Sequence, residues 1–232
     1  MIIYGKNIIK ETINAKRPIY HIYIDIKMTD IVFLNHLKKH NLEYEILNKH
    51  QLNEKAKTTH HQGVVAEVKD YSYQNLADYL STDKSKKFLI LDEIHDPHNL
   101  GAILRSVEAA NFNGVIIGKK HQVLLNGTVA KTSSGALEYV NIFLVNNLHH
   151  TILQLQNKDI KVIGTDMKAA LVFNKIPQKD SFAIILGNEG IGVRPLLKRN
   201  CDYLVSIPMS GKINSLNVSV AAAVIMFGLQ IK

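Results

Sequence analysis

The chain has one cysteine and no tryptophan in 232 residues. Cys201 cannot form an internal disulfide, so the fold rests on a hydrophobic core and suits a reducing compartment. As a free thiol it reads as a packing residue rather than a nucleophile. Long apolar runs are also missing. The most hydrophobic stretch, Leu216 to Ile231, is about 16 residues long and contains Asn217 and Ser219, short of the ~20 apolar residues of a membrane-spanning helix. The opening MIIYGKNIIK lacks a charged lead followed by a sustained apolar core, so no signal peptide is expected and a cytoplasmic location is. His95, His98 and the pairs His60/His61 and His149/His150 do not stand at metal-ligand spacing with a carboxylate or cysteine set, and no metal is expected. Internal repeats and low-complexity tracts are absent.

What is present is an excess of positive charge. The formal net charge of +8 points to an anionic partner, nucleic acid being the commonest. Residues 1–69 hold 11 Lys+Arg against 7 Asp+Glu, and the remainder 17 against 13, so the excess is spread over the chain and is no basic tail.

The pattern along the chain predicts two α/β parts. In the first, IYHIYID (Ile19 to Asp25), YEIL (Tyr44 to Leu47) and GVVAEV (Gly63 to Val68) read as strands, and Ile31, Phe33, Leu34 and Leu37 fall on one helical face. The polar stretch 70–86 reads as a linker with a short helix near Leu76 to Leu80. After it FLILDEI, GAILRSVEAANF and GVIIG give strand, helix and strand, the signature of a parallel βαβ unit. A helix near Thr151 to Asn157, strands KVIGTD, FAIILG and YLVSIP, and a last helix from about Asn217 continue the alternation. The expected organisation is 1–69, a linker over 70–86, and a parallel-sheet domain over 87–232.

Parallel sheets present ligand sites beyond the C-terminal ends of their strands, and the loops there carry the chemistry. In HDPHNLGAILR (His95 to Arg105), Asp96, Pro97 and Asn99 are turn or N-cap residues, and Arg105 follows about one and a half turns into the helix. An ordinary capped helix with a solvent-facing arginine would read the same way. LGNEGIGV (Leu186 to Val193) follows a buried strand and holds Glu189 among its glycines; its spacing fits neither a dinucleotide fingerprint nor a P-loop. In IPMSGKINSLNVSVA, Ser215 and Asn217 open a helix rich in alanine. Capping accounts for one such polar residue, and two suggest a cleft at the helix end.

Taken together, Asn99-x-Gly101-x-x-x-Arg105, the Gly187 to Gly192 segment GNEGIG and the Ile207 to Ala221 segment resemble the three motifs of the SpoU, or TrmH-type, RNA ribose 2′-O-methyltransferases, in the same order. KTSSGALEYV (Lys131 to Val140) resembles that family's serine-glycine-alanine segment. YGKNIIKETI and HQGVVAEV resemble the N-terminal substrate-binding domain of RlmB-like ribosomal RNA members, with Lys6 departing from the residue many relatives carry there.

The resemblance implies a small ribosomal-protein-like α/β RNA-binding domain, then a parallel-sheet catalytic domain with a C-terminal trefoil knot, a departure from the usual unthreaded connection. It implies S-adenosylmethionine as methyl donor, held largely through backbone groups at Gly187, Ile207 and Leu216. Arg105 is expected as the central catalytic residue, with Asn99, Glu189, Ser215 and Asn217 around it. Arginine stays protonated, so its expected role is to grip a phosphate and steady a developing alkoxide. Glu189 either accepts the proton or orients Asn99. The implied substrate is ribosomal RNA, a guanosine of the large-subunit RNA, and the implied assembly is a homodimer with no membrane partner. A transfer RNA methyltransferase, or an RNA-binding assembly factor without activity, would carry the same motifs.

Overall fold

The structure is a computed structural model and describes residues 1–81, 85–177 and 180–230. Contacts divide the chain into two units, Met1–Tyr71 with Leu125–Tyr139, and Ser72–Leu124 with Val140–Lys232.

The first unit is a mixed four-stranded sheet with helices. In chain order it holds β1 (Ile2–Tyr4), α1 (Lys6–Asn14), β2 (Ile19–Asp25), α2 (Ile31–Lys39), β3 (Glu45–Leu47), α3 (Lys49–Ala56) and β4 (Val64–Val68), with sheet order β1-β4-β2-β3. β4 pairs antiparallel with β1 and β2, and β3 runs parallel to β2. Asp30 caps α2 through Phe33 N at 2.9 Å and is itself gripped by Lys6 Nζ at 2.6 Å. The expected apolar face of α2 is narrower than read: Phe33 and Leu37 are fully buried, while Ile31, in the first turn, is exposed.

Leu125–Tyr139, placed by resemblance in the catalytic domain, packs in the first unit. It carries the short helix α6 (Gly127–Thr132), capped by Asn126, which packs on β1. Its anchor is Glu138, whose side chain is 2 % exposed and lies 3.0 Å from the Arg17 guanidinium. Glu138 Oε1 accepts from Thr12 Oγ1 at 2.8 Å and from Tyr71 Oη at 2.9 Å. Arg17 also stacks over the Tyr71 ring at 3.7 Å and donates to Lys69 O.

The second unit is built on a seven-stranded sheet. α4 (Leu76–Leu80) opens it, followed by β5 (Lys87–Asp92), α5 (Pro97–Ala109), β6 (Gly114–Gly118), β7 (Ile142–Val145), α7 (Leu148–Gln156), β8 (Lys161–Thr165), β9 (Leu171–Val172), β10 (Phe182–Gly187), α8 (Pro195–Lys198), β11 (Tyr203–Ser206) and α9 (Val218–Gly228). Every pairing is parallel, in the order β7-β6-β5-β10-β8-β11-β9. Such a sheet is covered on both faces, which is why FLIL and AIIL are buried residue after residue instead of alternating. One face carries Phe88, Ile90, Ala183 and Ile185 against α4, α7 and α8, with Phe88, Phe143 and Tyr79 meeting edge to face. α5 buries Leu100, Ile103, Leu104 and Val107, an i, i+3, i+4, i+7 stripe, and packs against α9 and β6.

Cys201 is half-buried under this core, its thiol donating to Leu197 O at 3.3 Å. Among the described residues no helix is long and apolar enough to cross a membrane.

Candidate active site

The parallel sheet sends its strand ends toward one edge, and the three motif loops leave from there. β5 ends at Asp92 and leads into α5, where Asp96 accepts from His98 N at 2.8 Å and Pro97 occupies the first turn. Asn99 stands in that first turn, and Arg105 lies six residues further, about 9 Å along the axis and about 120° around it.

β10 ends at Gly187, and the chain doubles back so tightly that a Cβ at Gly187 would overlap the Gly192 carbonyl carbon. Only glycine fits there. The turn between them is held by Gly192 N donating to Asn188 O at 2.8 Å and Gly190 N to Asn188 Oδ1 at 2.8 Å. Asn188 Nδ2 donates to Glu93 O at 3.2 Å, which ties this loop to the end of β5. Arg194 makes the second tie: its main-chain N–H donates to Asp92 Oδ2 at 2.9 Å, its Nε to Oδ1 at 2.8 Å, and its Nη1 lies 3.2 Å from Glu93 Oε1. Asp92 is fully buried, and an unpaired carboxylate there would be costly.

Between these ties Glu189 is held out toward the starts of α5 and α9. Asn217 Nδ2 donates to Glu189 Oε1 at 2.7 Å and to Asn99 Oδ1 at 2.9 Å, and Asn99 Nδ2 donates to Glu189 Oε1 at 3.1 Å. Val218 N, in the first turn of α9, reaches the same oxygen at 3.5 Å. The amide orientations are mutually required, because Asn217 Oδ1 is taken by the N-cap bond from Ser219 N at 2.9 Å and by Ser219 Oγ at 2.6 Å. One asparagine therefore caps the hydrophobic helix with its oxygen and binds the other two motifs with its nitrogen. The positive end of α9 favours the carboxylate placed before it.

Three of the expected catalytic residues, Asn99, Glu189 and Asn217, are thus in contact, and their centre is Glu189 rather than Arg105. Arg105 and Ser215 are exposed, and their side chains make no hydrogen bond or ion pair with the described residues. Gly187 and Ile207 sit at the ends of β10 and β11, with β8 between those strands, and Leu216 is half-buried beside Asn217. The main chain of residues 208–216 makes no hydrogen bond to other described residues, so its amides and carbonyls are open to a ligand. A segment of free backbone between two strand ends and Leu216 fits a donor held through main-chain groups.

Sequence reasoning overlooked Asn188, Asp92, Arg194 and Ser219. The available signals were an acidic pair closing a buried strand in FLILDEI, and the asparagine that leads GNEG. A cavity of about 490 Å³ opens beyond the ends of β5 and β6, and it is lined by Asp92, Glu93 and Arg194 but by none of Gly187, Ile207 and Leu216.

The site is thus one end of a doubly covered parallel α/β sheet, where a carboxylate, two amides and an open loop come together. The model of the SpoU rRNA methylase family matches residues 86–227, and that for RNA 2′-O ribose methyltransferase substrate binding matches residues 2–74. A TrmH family tRNA/rRNA methyltransferase of Bacillus subtilis is similar at 37% identity over 97% of this chain and 93% of its own length. The SpoU methyltransferase AviRb of Streptomyces viridochromogenes, solved with AdoMet, superposes with a TM-score of 0.81 at 21% identity, covering 99% of this chain and 88% of that one. An AdoMet-bound rRNA methyltransferase from Sinorhizobium meliloti gives 0.81 at 19%, covering 99% and 86%. The chain belongs to the SpoU/TrmH family of RNA 2′-O-ribose methyltransferases, which use S-adenosylmethionine.

Proposed function

We propose that the substrate is ribosomal RNA, specifically a guanosine ribose of the large-subunit RNA, and that the enzyme works as a cytoplasmic homodimer whose C-terminal segment follows the knotted path implied by the family motifs. The substrate-binding module matched over residues 2–74 supports this reading, since it resembles the N-terminal domain of ribosomal RNA members of the family.

When bound, S-adenosylmethionine supplies a methyl group on a cationic sulfur, which passes to the 2′-oxygen as the S–C bond breaks and the hydroxyl proton leaves. Gly187, Ile207 and Leu216 hold the donor through main-chain groups. The observation that carries the catalytic assignment is the junction of Asn99, Glu189 and Asn217, which locks three distant stretches at one point. The bonds that Glu189 accepts all fall on Oε1, leaving Oε2 without a hydrogen bond among the described residues. In this reading Oε2 accepts the 2′-proton, while Asn99 and Asn217 keep the carboxylate fixed. Arg105 grips the phosphate of the target nucleotide and steadies the forming alkoxide. Ser215, exposed on the loop before Asn217, is the remaining catalytic residue of this reading.

Incubating the full chain with methyl-tritiated S-adenosylmethionine and total RNA from cells lacking the gene tests the substrate. Label is expected in large-subunit RNA as 2′-O-methylguanosine, and label confined to transfer RNA would replace this reading with the transfer RNA one. Arg105→Ala should lower methyl transfer by about 100-fold or more while donor affinity, measured by calorimetry, stays within a few-fold. Equal activity of variant and parent would remove Arg105 from the chemistry.

A further inference from the structure

We propose that the cavity beyond β5, β6 and β7 is a second RNA subsite, seating a nucleotide that flanks the methylated one. It rests on the chain acting on RNA, and not on which RNA. The cavity lies at the ends of one half of the sheet, β7-β6-β5, whereas Gly187 and Ile207 close strands of the other half.

Its lining divides by chemistry. The carboxylates of Asp92 and Glu93 share Arg194 at 2.7 Å and 3.2 Å, which offsets one of their two charges, and Asp92 is fully buried, so the exposed lysines outweigh the charge that is left. What remains directed to solvent is cationic or neutral: Lys119 and Lys120 on the turn after β6 are exposed and form no ion pair with described residues, and His121 and His149 stand beside them. Leu148 and Leu196, the latter 49% exposed, supply an apolar floor. An apolar floor under a cationic rim, in about 490 Å³, matches a base with its phosphate, since pockets for single small ligands run from about 300 Å³ upward.

The same wall connects this cavity to the catalytic junction. Glu93 accepts the Asn188 bond and Arg194 closes the loop in which Glu189 sits, five residues earlier. A nucleotide lying against Arg194 would register the strand so that a neighbouring ribose faces Glu189.

The probe is a mixed-sequence single-stranded RNA of about 12 nucleotides, its binding to the full chain followed by fluorescence anisotropy across a salt series. The double variant Lys119→Ala/Lys120→Ala is expected to bind about tenfold more weakly and to flatten the slope of log K against log salt by roughly 1.4, the value for two lost phosphate contacts to a single strand. His149→Ala is expected to weaken binding a few-fold with the slope unchanged. A control pair on the same unit, Lys158→Ala/Lys175→Ala, and donor affinity in every variant should stay within about twofold. On the RNA class that accepts label, the double variant should raise KM for RNA and leave kcat near the parent value. RNA affinity and slope within twofold of the parent would overturn the proposal, whichever RNA proves to be methylated. The same null result with loss of the dimer in sedimentation would assign the cleft to a second copy of the chain.

Discussion

Each unit of this molecule is organised around a glutamate that collects bonds from distant parts of the chain, and the two are treated in opposite ways. Glu138 in the first unit is sealed, with a cation, a threonine and a tyrosine around it and its side chain 2 % exposed. Burial, with the Glu138 carboxylate beside it, pushes the Tyr71 phenol well above its ordinary range, so it stays a donor. Glu189 in the second unit is exposed, its partners are neutral amides, and one of its oxygens is left open. A carboxylate paired with a guanidinium has its charge cancelled where it stands and serves to fasten chain to chain. One steadied by amides keeps its charge for a reactant. The contrast separates a structural clasp from the group proposed to meet the substrate.

The largest effect should come from breaking the clasp. Glu138→Gln leaves Arg17 in a buried site without a counter-charge, and breaking a buried pair in this way costs about 3–5 kcal/mol. Urea unfolding should show it as a drop in midpoint, with Leu125–Tyr139 more open to proteolysis. Glu189→Gln should do the reverse, with stability near the parent value and methyl transfer down by about 100-fold, since the amide keeps the bonds to Asn99 and Asn217 but cannot take a proton. Activity of Glu189→Gln at the parent rate, or unfolding of Glu138→Gln at the parent midpoint, would erase the distinction.

Much of this was legible in sequence. The strands FLILDEI, GVIIG and FAIILG are readable because a parallel sheet buries every residue, and α5 because its apolar stripe follows a proline and a cap. Asn99, Glu189 and Asn217 could be singled out as polar groups at strand ends and helix starts. Their gathering at one site is expected only through the family resemblance, because the bonds join residues 28, 90 and 118 positions apart and no local pattern encodes them. β7 and β9 escaped notice for a different reason: IFLV is short, and LV is too short for any period to show. The packing of Leu125–Tyr139 with the first unit was hidden because its anchor, Glu138, looks like any surface acid until Arg17, Thr12 and Tyr71 are assembled around it.

Sealing is not confined to the first unit. Burial pushes the Cys201 thiol up to about 12, with Asp202 adding to it, so at pH 8 almost no thiolate exists to react. Iodoacetamide should label the native chain at least about tenfold more slowly than the urea-unfolded one. Methyl transfer by Cys201→Ala should equal the parent's, and a loss of activity on alkylation of native protein would show the thiol to be open and near the chemistry.

The smallest effect concerns His61, a sealed group that is neutral. Gly63 N donates to its Nδ1 at 3.0 Å, which fixes the ring proton on Nε2, where it donates to Asn53 Oδ1 at 2.9 Å. The ring is 2% exposed, and burial holds its pKa below the ordinary 6.5, only partly offset by the nearby Asp25. Protonation would place a proton against the Gly63 N–H and a charge in the core. The unfolded chain therefore takes up the proton first, and stability present above 6.5 is lost as the pH falls from there toward the lower folded value. Urea midpoints at about pH 7.5 and 5.5 should fall more steeply for the parent than for His61→Gln, by less than about 1.4 kcal/mol per pH unit. The variant should be less stable at the higher pH, because its amide cannot reproduce both ring bonds. Parallel pH profiles would mean that His61 titrates as freely in the fold as in the unfolded chain, and that the first unit is not sealed at this point.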